Sequence, residues 1–564
     1  MKINKLTKLA IIFILNFAQF LLFSSIYFSN NIIIKYAINP FNICEKEPVL
    51  WLGVKMLFAA SYLIVSILLT GKLEKVIEKK RRKNGKKIGM ANSLTDDSLS
   101  VLIGKCGEER IVIPEKGLYQ NMLVTGTIGS GKTSSAMYPI TEQLIKWNAL
   151  DDSKKIGMLV LDVKGNYYSQ VCKYAEKFNR MDDVVVIEIN GKHTYNPLDK
   201  PSIMSSVLAN RLKIIMELFS GNTSESYWVD KSEQILNEAI KLCRMYNDGY
   251  VSFDELHHLI ISKEYFEEKK KLLQEKYIKN ELTQSQKYDL YSALSFFENE
   301  FFSLDQRSMV LLKSQITRIT GNFVSDYNVL KTFSPSRENS SFSGIRDIIE
   351  NGKIVVLNMN IAEYKNMSKI IATYLKLDFQ AEVLARLSNM KDNGRTVAFI
   401  SDEYHEYVTE TDADFYAQSR EAKCINVVAT QSYKSLLKTL NSEPALNVIV
   451  QNLINKIWFR TDDIYTIEEA QKQIGKEEKE KISKSISENA RETKFSYVRN
   501  GFKSSDSNIS ESINSSFEKD FIFDSNFFTQ NLETFTAVAF LSDGNTIMKP
   551  KKIELIPYFK KGCD

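Results

Sequence analysis

Cysteine and histidine are scarce in this 564-residue chain, with six of the first and four of the second. The cysteines (Cys44, Cys106, Cys172, Cys243, Cys424 and Cys563) are scattered, with no C-x-x-C and no paired spacing. That pattern excludes a disulfide framework and a structural zinc site, and suits a reducing compartment. Two of the histidines, His257 and His258, fall in a helical pattern beside apolar residues and read as a packed or solvated pair. Net charge is also small, only +5, so overall composition does not argue for nucleic acid. Internal repeats are missing. The length allows two or three domains, each with its own core.

Against these absences stands one strong motif. Gly126-Thr127-Ile128-Gly129-Ser130-Gly131-Lys132-Thr133 fits G-x-x-x-x-G-K-[ST], the phosphate-binding loop. Asn121–Thr125 before it reads as a buried strand, and Ser134 onward as a helix with Ala136, Met137, Ile140, Leu144 and Ile145 on one face. The glycines let backbone N–H groups turn toward phosphate oxygens at a helix N-terminus. Lys132 is then expected at the β- and γ-phosphates and the Thr133 hydroxyl on Mg²⁺. The motif predicts a nucleotide with Mg²⁺, expected to be ATP, cradled by residues 126–134, Ser134 included.

Near-continuous apolar runs predict strands at 121–125, 156–163, 183–189, 353–359, 396–401, 425–430, 456–460 and 536–541. Such runs, alternating with helical patterns, indicate a parallel sheet covered on both faces, an α/β RecA-like P-loop NTPase core. It is expected over residues 97–199 plus 340–564. Between 200 and 339 the strands stop and helical patterns replace them, which predicts an inserted all-α domain, since structureless loops of that length are rare. Residues 476–495 read as helix or linker, and the Ser/Asn-rich stretch 500–516 as a mobile loop.

The nucleotide site needs an acidic partner at the end of a hydrophobic strand, and two candidates exist. Asp162 ends one strand; Asp402-Glu403 ends another. The pair suits the chemistry, with Asp402 in the Mg²⁺ shell through water and Glu403 polarising the attacking water. Gln431, ending a further strand, is placed to sense the γ-phosphate or orient water.

Leu9–Phe28 and Leu50–Thr70 are each long and apolar enough to cross a bilayer. Nine basic residues between Lys72 and Lys87, against Glu74 and Glu78, follow the second run and predict a cytoplasmic side there. Residues 1–87 are therefore expected to be an N-terminal two-helix membrane anchor.

The ordered set of these features resembles the type IV secretion coupling proteins, the TraG/TraD family of conjugation ATPases. After the phosphate loop come Asp162-Val-Lys-Gly165, where the family has a DPKG-like motif, and Tyr195-Asn-Pro-Leu-Asp199, where it has an NPL(D) signature. The helical insertion, Asp402-Glu403 and Thr430-Gln431-Ser432 follow in order. Asp162-Val163 departs from the usual Asp-Pro but keeps the carboxylate. The resemblance implies a multi-pass inner-membrane protein with its ATPase in the cytoplasm, assembled as a homohexamer. It implies partners too: single-stranded DNA with its relaxase, and components of the secretion channel. A neighbour's arginine finger is expected, with Arg420 the first candidate and Arg346 and Arg460 the others. Three alternatives remain open at this point: a nucleotide-dependent recruitment scaffold, a coupling ATPase for protein effectors, and a DNA translocase of the chromosome-partitioning type.

Overall fold

The computed structural model describes residues 98–220, 226–388, 394–488 and 509–560. The expected anchor of residues 1–87 lies outside them. Among the described residues no helix is long and apolar enough to cross a membrane.

Eleven strands form one sheet: β1 (Ser100–Cys106), β2 (Glu109–Pro114), β3 (Met122–Thr125), β4 (Gly157–Leu161), β5 (Val184–Ile187), β6 (Ile354–Leu357), β7 (Val397–Ser401), β8 (Cys424–Thr430), β9 (Asn455–Phe459), β12 (Thr536–Phe540) and β13 (Lys551–Glu554). The other two, β10 (Lys476–Glu488) and β11 (Ile509–Phe521), pair only with each other as an antiparallel ribbon. The large sheet runs in the order β2-β1-β13-β12-β9-β3-β8-β7-β4-β6-β5. Its stretch from β9 to β5 is parallel. The other four strands extend it antiparallel on one side.

All eight strands read from the sequence are present, because an apolar run in a doubly covered sheet is buried along its whole length. Successive residues still face opposite layers. On β4, Leu159 and Leu161 join one core while Met158 and Val160 join the other. The second core is covered by α1 (Tyr138–Lys146) and α2 (Tyr167–Lys177).

Where β5 ends, the chain leaves the sheet for a run of helices and returns at β6, its neighbour in the sheet. These are α3 (Ser205–Ser220), α4 (Ser226–Tyr246), α5 (Phe253–Ile261), α6 (Lys263–Ile278), α7 (Gln284–Phe296), α8 (Gln306–Val324) and α9 (Tyr327–Phe333). Side-chain caps set several of the starts. Ser252 Oγ accepts from Glu255 N before α5, Thr283 and Gln286 form a capping box on α7, and Asp305 caps α8. The two ends of the excursion meet where Arg337 donates to Asp199 at 2.8 Å. Deeper in, α10 (Asn366–Ala385) carries a fully buried carboxylate, Asp378, which accepts from Tyr195 Oη at 2.9 Å and Arg211 Nη1 at 2.7 Å. The Tyr195–Asp199 turn and α3 are thereby tied to the sheet's own helix.

One expectation is corrected. Residues 476–488 are a strand, not a helix or linker, and 509–516 belong to its partner rather than to a loop. The ribbon's sequence is mostly charged and hydroxyl residues, with apolar ones only at widely spaced positions (Ile482 and Ile486 on β10, Ile509, Ile513, Phe517 and Phe521 on β11), so it lacks the unbroken apolar run of the other strands. Residues 489–508 lie outside the described residues.

Candidate functional site

The phosphate loop leaves β3 at Gly126, whose backbone passes so close to Phe459 that an added Cβ would sit 2.6 Å from the Phe459 Cβ. Gly131, the last glycine of the loop, has φ 101° and would meet Phe535 at the same distance. Both positions therefore require glycine. Thr127 N donates to Arg460 O at 2.9 Å, and Ser130 Oγ to Thr127 O at 2.8 Å. Ile128 and Gly129 form the exposed crest. From Lys132 the chain enters a π-helical turn, Lys132–Met137, before α1 begins. Ser134 Oγ donates to Gly131 O at 3.3 Å.

Lys132 Nζ donates to Gly126 O and, at 3.1 Å, to Thr127 O, lying across the loop that its own residue closes. Burial pulls its pKa below the usual lysine value, against the pull of Asp402 and Glu403.

Because the central strands are parallel and ordered β9-β3-β8-β7-β4, their C-terminal ends form one rim. Around it stand Arg460, the loop, Gln431, Asp402-Glu403 and Asp162–Lys164. Thr133 Oγ1 donates to Asp402 Oδ2 at 2.8 Å. Asp402 is buried, and burial, with Asp162 and Glu403 nearby, pushes its pKa up to about 6. Glu403 sits in the left-handed region at φ 48°, a conformation that is uncommon for a non-glycine residue and that recurs at functional sites. Its carboxylate is engaged at both oxygens. Lys164 Nζ pairs with Oε1, and Gln431 Nε2 donates to Oε2 at 3.2 Å. His405 Nδ1 stands 3.6 Å from Oε2. Burial alone would raise the Glu403 pKa, but the Lys164 ammonium, with His405 and Gln431, outweighs it and holds the group below the ordinary carboxylate value.

Asp162 has a different occupation. Its oxygens accept from the backbone N–H groups of Lys164 at 2.8 Å, Asn166 at 3.2 Å and Tyr167 at 3.1 Å. It caps the start of α2 and shapes the turn that brings Lys164 to Glu403.

The structure thus brings together Lys132, Thr133, Asp402, Glu403 and Gln431. It does not bring Arg420 to them. That residue is exposed before β8, at the opposite end of a strand whose seven residues span about 20 Å. Arg346 pairs with Glu382 at 3.4 Å and also precedes its strand, β6. Arg460 alone adjoins the loop of its own chain. Two participants escaped sequence reasoning as site residues, Lys164 and His405. The Asp-Val-Lys-Gly motif was the available signal for Lys164; His405, two residues past Glu403, carried none.

These residues fit a nucleotide with Mg²⁺. Glycines stand where a Cβ would clash or strain, an ammonium spans the loop, and a hydroxyl meets a buried carboxylate of raised pKa. Fold and site together define a P-loop nucleotide-binding protein with a RecA-like sheet. Residues 311–543 match the family model described as the type IV secretion-system coupling protein DNA-binding domain. The bacterial conjugative coupling protein TrwBdeltaN70, unbound, matches with a TM-score of 0.54 and 14% identity, over 84% of this chain and 91% of that one. The plasmid coupling protein TrwB in complex with ADP and Mg²⁺ gives 0.52 at 14% identity, over 79% and 87%. Its complex with the GTP analogue GDPNP gives 0.51 at 14%, over the same shares. No curated protein sequence matches. The domain match and the shared fold support the resemblance to type IV secretion coupling proteins read from the sequence.

Proposed function

We propose that this protein is a conjugative coupling ATPase: it hydrolyses ATP to drive a relaxase-bound DNA strand toward a type IV secretion channel. The observation that carries the reading is the Thr133–Asp402 contact, with Glu403 next in sequence and Gln431 on the adjacent strand. Lys132 would bind the β- and γ-phosphates, while Thr133 and Asp402 would hold Mg²⁺, which when bound neutralises charge on the phosphates. Glu403 accepts the proton of the attacking water, and Gln431 holds the carboxylate in place. Lys164, at the same carboxylate, keeps it ionised. Arg420, exposed on the far edge, is offered as the finger that reaches a neighbouring subunit's site in a homohexamer.

The DNA assignment is supported by the name of the matched domain model, and the nucleotide assignment also by the ligands in the TrwB complexes. Residues 200–339 serve in this reading as an all-α domain facing substrate. Residues 1–87 supply a multi-pass anchor in the inner membrane, with spans near 9–28 and 50–70, as the two apolar runs and the basic stretch after them suggest.

The test is ATP hydrolysis by the full-length protein with and without single-stranded DNA, beside a Lys132→Ala variant. Turnover that rises with DNA and disappears in the variant is expected. Turnover indifferent to DNA would count against DNA as cargo.

A further inference from the structure

An aromatic cluster beside the phosphate loop has no part in the hydrolytic chemistry above. Phe535 lies with its ring directly against Gly131, close enough that a Cβ on that glycine would be 2.6 Å from Cδ1. The backbone of Phe535 is left-handed, φ 67°, which for an aromatic residue is a true outlier. It is pinned there from both sides. Its N–H donates to Ser130 O at 3.2 Å and its carbonyl accepts from Leu555 N at 2.8 Å. Strain that is over-determined in this way points to a use for the side chain it places.

Phe559 extends the cluster, its ring centroid 5.9 Å from that of Phe535 at 71°. Tyr558 follows, 5.4 Å from Phe559 and 5.2 Å from Tyr138. Tyr138 stands on the helix that the loop starts, one turn beyond Ser134 on the same face. Lys560 Nζ stands 5.9 Å from the centre of the Phe535 ring. Phe559 is 58% exposed, so its ring is open to a ligand.

The placement relative to the loop decides the ligand. Phosphates occupy the N–H groups of the loop and the first helical turn. The nucleoside therefore departs past Gly131 and Ser134, where the rings are. We propose that Phe535 and Phe559 form an aromatic corner for the purine base of the bound nucleotide, one ring stacking on the base and the other meeting its edge. The proposal rests on the nucleotide reading above. Aromatic stacking uses the π-face that every base has, so the corner takes adenine and guanine alike.

The experiment is calorimetric titration of the full-length protein with ADP and, separately, with inorganic pyrophosphate. The variants are Phe559→Ala, which removes an exposed ring, and Phe535→Leu, which retains bulk against Gly131. Each variant is expected to weaken ADP about tenfold and to leave pyrophosphate within about twofold. GDP should behave as ADP does. Unchanged ADP affinity in both variants overturns the proposal. So does an equal loss for ADP and pyrophosphate, which would make the rings mere props of the loop. A Lys132→Ala variant binding both ligands normally would instead bring down the nucleotide site itself, and the aromatic corner with it.

Discussion

The Thr133 hydroxyl donates to the Asp402 carboxylate across 2.8 Å, joining the helix after β3 to the end of β7, two strands away in the sheet. The two residues lie 269 positions apart in the chain. The contact exists because three parallel strands, β3, β8 and β7, end on one rim.

Glu403 is the residue expected to carry the chemical step. Glu403→Gln keeps the shape and the Gln431 neighbour but removes the base. Turnover is expected to fall by about 10²–10⁴-fold, while ADP affinity stays near that of the unaltered protein. Single-turnover hydrolysis beside equilibrium binding checks both halves.

The raised pKa of Asp402 makes a pH-dependent prediction about stability. Above pH 6 the folded protein holds a buried, ionised carboxylate that the unfolded chain would solvate freely. Its pKa is about 6 folded against 3.8 unfolded, so the folded form binds the proton more tightly. The group's contribution is thus most favourable below about pH 4 and is lost as pH rises through 6. Asp402→Asn should therefore raise Tm relative to the unaltered chain at pH 8, by an amount equivalent to about 3 kcal/mol, and confer no such gain at pH 4. Thermal melts at the two pH values decide it. The same substitution should abolish Mg²⁺-dependent turnover.

Removing Lys164 should move the acid limb of the rate profile. Its ammonium offsets the burial that would otherwise raise Glu403. In Lys164→Ala the carboxylate loses that partner, its pKa rises, and the low-pH arm of kcat against pH shifts toward higher pH. A profile superimposable on the original would show that Lys164 does not act on Glu403.

Behind the site, Lys376 and Asp412 form a fully buried pair at 2.8 Å. Lys376 Nζ also donates to Tyr407 O at 2.7 Å and Thr409 Oγ1 at 2.8 Å, fixing the turn that follows Glu403. Lys376→Met strands the carboxylate and is expected to cost about 3–5 kcal/mol in denaturant unfolding. Lys376→Met with Asp412→Asn should recover part of that loss, since the amide removes the charge and keeps an acceptor for the Gln380 and Tyr404 donors.

The centre of this fold was legible because buried parallel strands are written as unbroken apolar runs, and because the phosphate loop has an obligate glycine spacing. The edges were not. β1, β2 and β13 hold apolar runs of only one to three residues (Ile111-Val-Ile, for instance), too short to separate from a loop. Asp402, Glu403 and Gln431 could be read from their strands, each lying just past an apolar run. Lys164 and His405 could not, since their importance comes from the rim on which separate strands end, and that rim depends on strand order. Asp162 stood in the sequence as the alternative acidic partner to Asp402-Glu403; its oxygens accept from the backbone N–H groups of Lys164, Asn166 and Tyr167.

The pairing of β1 with β13, Lys105 opposite Glu554, bears on the genetics of this protein. Among the described strands, β1 neighbours only its hairpin partner β2 and β13, with Gln143 of α1 adding two bonds to the Leu102 backbone. A nonsense codon shortly after residue 541, which would spare every residue of the hydrolytic centre, thus removes the strand that holds the first hairpin of the described fold. Late truncation alleles of this gene should behave as lesions at both ends of the domain.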